Sequence, residues 1–137
     1  CLDFKNVKVV SFGVRNISAI EMKFYKNNQE RIKIFWAKDK NKWNLKKISE
    51  IFLNKNVYIT FDVDGFDSSI MPATGTPEPG GLFWDDVIPI LKTVCKSSNV
   101  IGADINELAP IKKFDSYNFL VAKLAYKILS YAFEFKN

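Results

Sequence analysis

Apolar residues along the chain follow two different periods. Short runs of adjacent or alternating apolar residues predict four strands, at residues 7–12, 32–36, 57–61 and 100–103. Between them, apolar residues recur at helical spacing and predict helices at 18–27, at 44–54, from Asp85 and Asp86 onward, and at 116–135. Strands that alternate with helices predict an α/β fold with a mainly parallel sheet.

Local signals add detail to this outline. Ser18 and Glu21 have the spacing of a capping box, so the first helix should begin at Ser18. The run at 32–36 alternates with polar residues and fits an edge strand. The runs at 57–61 and 100–103 are continuously apolar, which predicts a sheet that is covered on both faces.

Length and composition fit one compact domain of a cytoplasmic protein. The 137 residues are 47% hydrophobic, enough for a real core. No apolar segment reaches the roughly 18 residues of a membrane helix, and no signal peptide is recognisable, so we expect neither a membrane partner nor secretion. Because the chain begins with Cys1, it is expected to be a fragment or a processed product. Cys95 should be a buried free thiol.

Charge and the absence of histidine exclude several functions. The net charge is +5, but the cations are nearly all lysines scattered along the chain, so we expect a solvated surface and no nucleic-acid partner. The chain contains no histidine, which excludes Ser-His-Asp chemistry, Cys-His chemistry and histidine-ligated zinc within these residues.

Acidic residues follow two of the predicted strands. Asp62 and Asp64 end the third strand, and Asp104 and Glu107 follow the fourth. Sites in parallel sheets form at the carboxyl ends of strands, and strand alternation would send Asp62 and Asp64 to the same side. Neighbouring carboxylates suit Mg²⁺ or Mn²⁺, although solvated or capping aspartates are a common alternative at strand ends. A calcium loop of the EF-hand type does not fit, because Asp67 stands where that loop needs glycine.

A rigid loop follows the aspartate pair. Residues 74–81 contain two prolines and three glycines. Glycines permit unusual backbone angles and prolines stiffen the chain, so the loop can hold a fixed shape beside a site. A plain structural turn into the next helix is the alternative explanation.

These segments together resemble one enzyme family. Residues 59–67 and 72–81 are similar to the C-terminal signature of the ureohydrolase family, which includes arginase and agmatinase. Residues 9–15 resemble its upstream strand ending in Gly-x-Arg, and residues 102–110 resemble its last catalytic segment. The resemblance implies an arginase-like, three-layer α-β-α fold of which residues 1–137 form the C-terminal part of a single domain.

The resemblance also implies roles for individual residues. Asp62 and Asp64 match ligands of a pair of Mn²⁺ ions, and Glu107 matches the acid that binds the substrate guanidinium. In this family the two Mn²⁺ ions activate water for attack on the guanidinium carbon. The remaining candidates support the ligands or belong to the loop, whose Glu-Pro pair fits the agmatinase type: Asp67, Asp104, Thr76 and Glu78.

The implied activity is Mn²⁺-dependent hydrolysis of agmatine to putrescine and urea by a homo-oligomeric enzyme. Guanidinobutyrase, arginase and formimidoylglutamase specificities remain open, as does a truncated remnant that acts only as an interaction module. The family's other metal ligands lie upstream, so the isolated 137 residues are predicted to be inactive and to bind Mn²⁺ weakly. Two positions depart from the family pattern: Ser68 replaces proline, and Ala73 replaces glycine and would strain the loop if it needed positive φ.

Overall fold

Strands and helices alternate from one end of the chain to the other. The structure is a computed structural model that describes residues 2–136, so Cys1 and Asn137 lie outside it. The strands are β1 (Val9–Val14), β2 (Ile32–Trp36), β3 (Asn56–Asp62) and β4 (Asn99–Asn106). The α-helices are α1 (Ala19–Lys26), α2 (Leu45–Phe52), α3 (Trp84–Ser97) and α4 (Asp115–Glu134). Two 3₁₀ segments cover Ala37–Lys42 and Val63–Gly65.

The strands form two separate parallel pairs. β1 pairs with β2, and β3 pairs with β4. Both pairs are parallel, because a helix between the two strands returns the chain to the same end of the sheet. The predicted parallel arrangement of the strands is confirmed, but within residues 2–136 no ladder of hydrogen bonds joins β1 to β3.

Most predicted element boundaries agree with the structure within two residues. The Ser18 hydroxyl accepts from the backbone of Glu21 and the Glu21 carboxylate accepts from the backbone of Ser18, so the predicted capping box is confirmed. β1 begins two residues later than predicted. β4 extends beyond the predicted end because its polar residues pair with β3 as far as Asn106.

Two apolar clusters meet on the helix α3. The larger one fills the space between α3, α4 and one face of β3–β4, with Phe66 and Leu124 almost completely buried. The smaller one joins α2 and α3 to β1–β2, where the rings of Phe12 and Phe35 stack with centroids 4.6 Å apart. Cys95 is a buried free thiol, as predicted, and burial raises its pKa to about 11.

The opposite faces of the two sheets differ. On β1–β2, Tyr25 of α1 packs edge-on against Trp36. On β3–β4, Tyr58 and Ile101 are 58% and 63% exposed, so the prediction of cover on both faces is wrong for this pair of strands. The continuous apolar runs of these strands nevertheless indicate a face that suits burial.

The long helix α4 is apolar on two sides. Val121, Leu124 and Ile128 face the core, whereas Phe119, Tyr126 and Phe133 are exposed at seven-residue intervals. This second stripe is a surface suited to contact with another helix. Within residues 2–136, no helix is long and apolar enough to span a membrane.

Candidate active site

The aspartate pair lies where β3 ends. Asp62 is the last residue of the strand, and Asp64 belongs to the 3₁₀ turn that follows. Strand alternation was the reason for the prediction that the two side chains point to the same side, and it does not apply to Asp64 because β3 ends at Asp62. In the turn, the Asp62 carboxylate accepts a hydrogen bond from the Asp64 backbone N–H at 2.8 Å.

The two oxygens of Asp64 have different surroundings. Oδ2 accepts a hydrogen bond from the Thr76 hydroxyl, whereas Oδ1 is buried and has no hydrogen-bond partner among residues 2–136. A buried carboxylate oxygen without a partner is uncommon, and a hard divalent cation would satisfy it. Asp62 and Asp64 thus fit part of a Mn²⁺ ligand set. Within residues 2–136, no cluster of three or more histidine, cysteine, aspartate or glutamate side chains could hold a metal alone.

Residues 62–66, called here the aspartate turn, lie next to the loop at residues 72–81, which is held at both ends. At its start, Thr74 bridges Leu108 after β4, and the Ala109 N–H donates to the Ala73 carbonyl at 2.9 Å. At its end, Leu82 bridges Phe66. Ala73 is not among the residues with positive φ, so alanine causes no strain at that position.

The Asp67 carboxylate connects the end of this loop to the segment that follows the aspartate turn. One carboxylate oxygen accepts from the backbone and hydroxyl of Ser69, and the other accepts from the N–H groups of Gly80 and Gly81. The hydrogen bonds from Ser69, followed by those from the two glycines, lower the pKa of Asp67 to about 2. Asp67 thus supports the fold of the site, and its hydrogen bonds within residues 2–136 do not reach Asp62 or the Asp64 side chain.

We expect Asp67 to make the protein sensitive to acid. A carboxyl group whose pKa is depressed in the folded state stabilises the fold above its unfolded pKa, near 4, and loses that contribution as the pH falls toward 2. Asp67→Asn should lower the stability at pH 7 and flatten its decline between pH 4 and 2, as measured by urea unfolding at each pH. The exposed Asp3→Asn variant should keep the parent profile, and an unchanged profile for Asp67→Asn would contradict the assignment.

Glu107 and Glu78 lie beside the same loop. Glu107 is exposed, and its Oε2 would lie 3.9 Å from a Cβ added to Gly75. Its φ is +66°, in a region that favours glycine, so the backbone is strained at this position. Both oxygens of Glu78 accept from the Asn16 amide at 2.6 Å, which joins the loop to the end of β1.

Asp104 lies on the open face of β3–β4 rather than under the loop. It is paired in register with Thr60, whose hydroxyl donates to its carboxylate at 2.8 Å. The hydrogen bonds from Thr60, then Tyr58, then Asn106 lower the pKa of Asp104. Its direct partners are thus neighbours on the sheet, and it shares this face with Asp62 through the strand register.

Arg15 is the residue of this region to which the sequence assigned no role. It follows the strand β1 directly, and its guanidinium reaches the carbonyl groups of the aspartate turn. The only signal in the sequence was the Gly-x-Arg motif at the end of a predicted strand, where site residues collect. The residues of the candidate site therefore lie at the ends of β1, β3 and β4 and in the loop.

Comparison with known proteins identifies the family of this chain. A family profile described as the arginase family matches residues 2–131. The chain is 41% identical over 106 residues to an N(1)-aminopropylagmatine ureohydrolase from Synechocystis sp., which covers 75% of this chain and 34% of that protein. It is 36% identical over 125 residues to an agmatinase from Pyrococcus horikoshii, covering 90% of this chain and 42% of the relative. The chain thus spans less than half the length of these relatives.

Solved structures agree. The agmatine ureohydrolase of Thermoplasma volcanium superposes with a TM-score of 0.74 at 28% identity, over 90% of this chain and 42% of that one. The Helicobacter pylori arginase, at 20% identity, has the same fold with a TM-score of 0.76 over 90% of this chain and 42% of its own. Sequence and fold together show that this chain, with its arginase-like α/β fold, belongs to the arginase family of ureohydrolases.

Proposed function

We propose that this chain is part of a Mn²⁺-dependent enzyme that hydrolyses agmatine to putrescine and urea. The observation that carries the proposal is the path of the loop, which runs from Gly75 beside Glu107 to Thr76 on Asp64. The loop thereby joins a candidate guanidinium-binding carboxylate to a candidate metal-binding pair. The relatives are named agmatinase and N(1)-aminopropylagmatine ureohydrolase, which supports a guanidino substrate that carries an amine.

Each side chain has a defined task in this proposal. Asp62 and Asp64 would hold Mn²⁺ together with ligands from outside these 137 residues, and the metal, when bound, would supply an activated water at neutral pH. Thr76 fixes the Asp64 carboxylate through its hydroxyl. The exposed carboxylate of Glu107 suits the planar guanidinium, which can donate two parallel hydrogen bonds to it. Binding at Glu107 would orient the guanidinium carbon toward the metal-binding carboxylates.

The setting of the enzyme belongs to the same proposal. We place it in the cytoplasm as a homo-oligomer, with a small guanidino compound as its substrate and no nucleic-acid or membrane partner. The exposed apolar stripe on α4 supports association with other protein surface.

A urea-release assay tests the proposal. The polypeptide as its gene encodes it is assayed with Mn²⁺. Its kcat/KM for agmatine should be at least about 100-fold above that for arginine or guanidinobutyrate. A difference of this size is expected where an enzyme recognises polar groups at the end of the substrate that is distant from the guanidinium. The isolated 137 residues should release no urea, because they hold only part of the ligand set.

Other outcomes would change the proposal in defined ways. A preference for arginine, guanidinobutyrate or formimidoylglutamate would keep the chemistry and replace the substrate. Absence of urea from every guanidino compound would reject the enzyme in favour of a non-catalytic remnant. Urea release by the isolated 137 residues would show that no outside ligands are needed.

A further inference from the structure

We propose that Arg15 is a positioning residue that sets the direction of the Asp64 carboxylate for metal binding. The inference rests on the proposed function, because it assumes that Asp64 is a metal ligand. Arg15 stands directly after β1, whereas Asp64 stands directly after β3, in the other pair of strands. A contact between the two would connect parts of the site that no backbone ladder joins within the described residues 2–136.

The contact consists of three hydrogen bonds to consecutive carbonyl groups. One guanidinium nitrogen of Arg15 donates to the carbonyls of Gly65 and Phe66, at 3.3 and 3.2 Å, and the other donates to the carbonyl of Asp64. Carbonyl groups at the end of a helical turn lack partners within that turn. The Gly65 carbonyl also accepts from the Leu82 N–H at 3.0 Å. For the carbonyls of Asp64 and Phe66, Arg15 supplies the partner from outside the turn. These hydrogen bonds fix the peptide planes next to the Asp64 side chain.

The geometry requires arginine rather than any cation. Guanidinium presents several donors in one rigid plane, whereas the lysine ammonium is a compact point charge. Within residues 2–136, the ion pairs are Lys40–Asp86 and Lys42–Asp39, so Arg15 has no carboxylate partner there. Its donors are directed to the backbone of the turn instead.

Packing against the loop holds the guanidinium in place. A Cβ atom added to Gly81 would collide with the Arg15 guanidinium and would lie 2.5 Å from the Asp67 nitrogen and the Phe66 carbonyl carbon. Arg15 therefore lies between the turn and the glycine end of the loop. The same loop contributes Thr76, whose hydroxyl holds Asp64 from the side-chain end. Asp64 is thus fixed by its backbone through Arg15 and by its carboxylate through Thr76.

The only other arginine in the chain provides a matched control. Arg31 also uses its guanidinium on backbone carbonyls, those of Leu2, Phe4 and Val7, at distances of 2.6 to 3.2 Å. These residues precede β1, whereas Arg15 follows it. Removal of either guanidinium breaks a similar set of hydrogen bonds, but only Arg15 contacts the aspartate turn.

The test is Mn²⁺ affinity rather than activity. Three variants are made in the polypeptide as its gene encodes it: Arg15→Met, Arg15→Lys and Arg31→Met. Each protein is titrated with Mn²⁺, and the free Mn²⁺ is measured by its electron paramagnetic resonance signal. Unfolding temperatures are recorded so that all titrations are made on folded protein. We expect both Arg15 variants to bind Mn²⁺ about 10- to 100-fold more weakly. Arg31→Met should lose thermal stability but keep its Mn²⁺ affinity within about twofold, because its carbonyl partners lie outside the aspartate turn.

The Lys variant guards against loss of folding, because it keeps the charge and the aliphatic stem of the side chain. Parent-like affinity in Arg15→Lys and in any folded Arg15→Met would overturn the inference, and so would equal weakening in Arg31→Met. Asp64→Asn separates the inference from the proposed function. If Asp64→Asn leaves Mn²⁺ binding unchanged, Asp64 is not a metal ligand, and the inference about Arg15 fails as well. If Asp64→Asn weakens binding and the Arg15 variants do not, only the inference fails.

Discussion

Asp64→Asn is expected to reduce urea release from agmatine by more than about 100-fold, since loss of a group that only supports a metal ligand already lowers activity by 10- to 100-fold. The physical reason lies in the buried oxygen of Asp64 that finds no hydrogen-bond partner in the part of the chain that the structure describes. An asparagine can still accept the Thr76 hydrogen bond, but it removes the negative charge and one ligating oxygen. The measurement is kcat together with the Mn²⁺ content of the purified protein, which should fall in parallel.

A surface aspartate provides the control for this result. Asp39 forms an exposed ion pair with Lys42, and such pairs contribute little to stability. Asp39→Asn should therefore keep kcat and Mn²⁺ content within about twofold of the parent, as expected for a surface change away from the site. Full Mn²⁺ content and full activity in Asp64→Asn would reject Asp64 as a ligand and would leave the carboxylate pair without a catalytic task.

Gly81→Ala should lower the free energy of unfolding by about 3 kcal/mol or more, at the upper end of the range for overpacking. The added methyl group would lie 2.5 Å from the Phe66 carbonyl carbon and the Asp67 nitrogen, which are backbone atoms with little freedom to move. It would also collide with the Arg15 guanidinium. Urea denaturation at neutral pH measures the loss.

Gly65 makes the comparison fair, because it lies in the same region and has open space around it. A Cβ added to Gly65 meets no atom within 4 Å, and its φ lies outside the left-handed region. Gly65→Ala should therefore change the free energy of unfolding by no more than about 0.5 kcal/mol. Equal stability of the two alanine variants would show that the loop shifts to accommodate the methyl group and that the packing around Gly81 is not tight.

The helices could be predicted from the sequence because their signals are local. The capping box at Ser18 and the aspartates at the start of α3 act within one turn, so the sequence alone indicates where these helices begin. The loop can be predicted for a similar reason, since prolines stiffen the backbone and glycines permit unusual backbone angles wherever they occur. Of the candidate residues, Asp62 directly follows the predicted third strand, and Glu107 lies four positions beyond the predicted fourth strand.

Contacts between distant segments could not be predicted in this way. Arg15 and Phe66 are 51 positions apart, and nothing in the local pattern shows that one guanidinium serves three carbonyls of a remote turn. The division into two strand pairs and the open face beside Tyr58 likewise depend on how segments meet. Asp64 illustrates a further difficulty. The alternation of side chains along a strand does not show at which residue the strand ends and a 3₁₀ turn begins.

The backbone at Glu107 has a consequence for how the sequence can evolve. Its positive φ disfavours side chains other than glycine by about 1 kcal/mol or more, asparagine least among them, and yet a long carboxylate occupies the position. Selection for stability alone would replace it with glycine or asparagine. On the proposed function, glutamate at this position is a trade between folding and chemistry, because guanidinium binding would need a carboxylate that the backbone at this position disfavours.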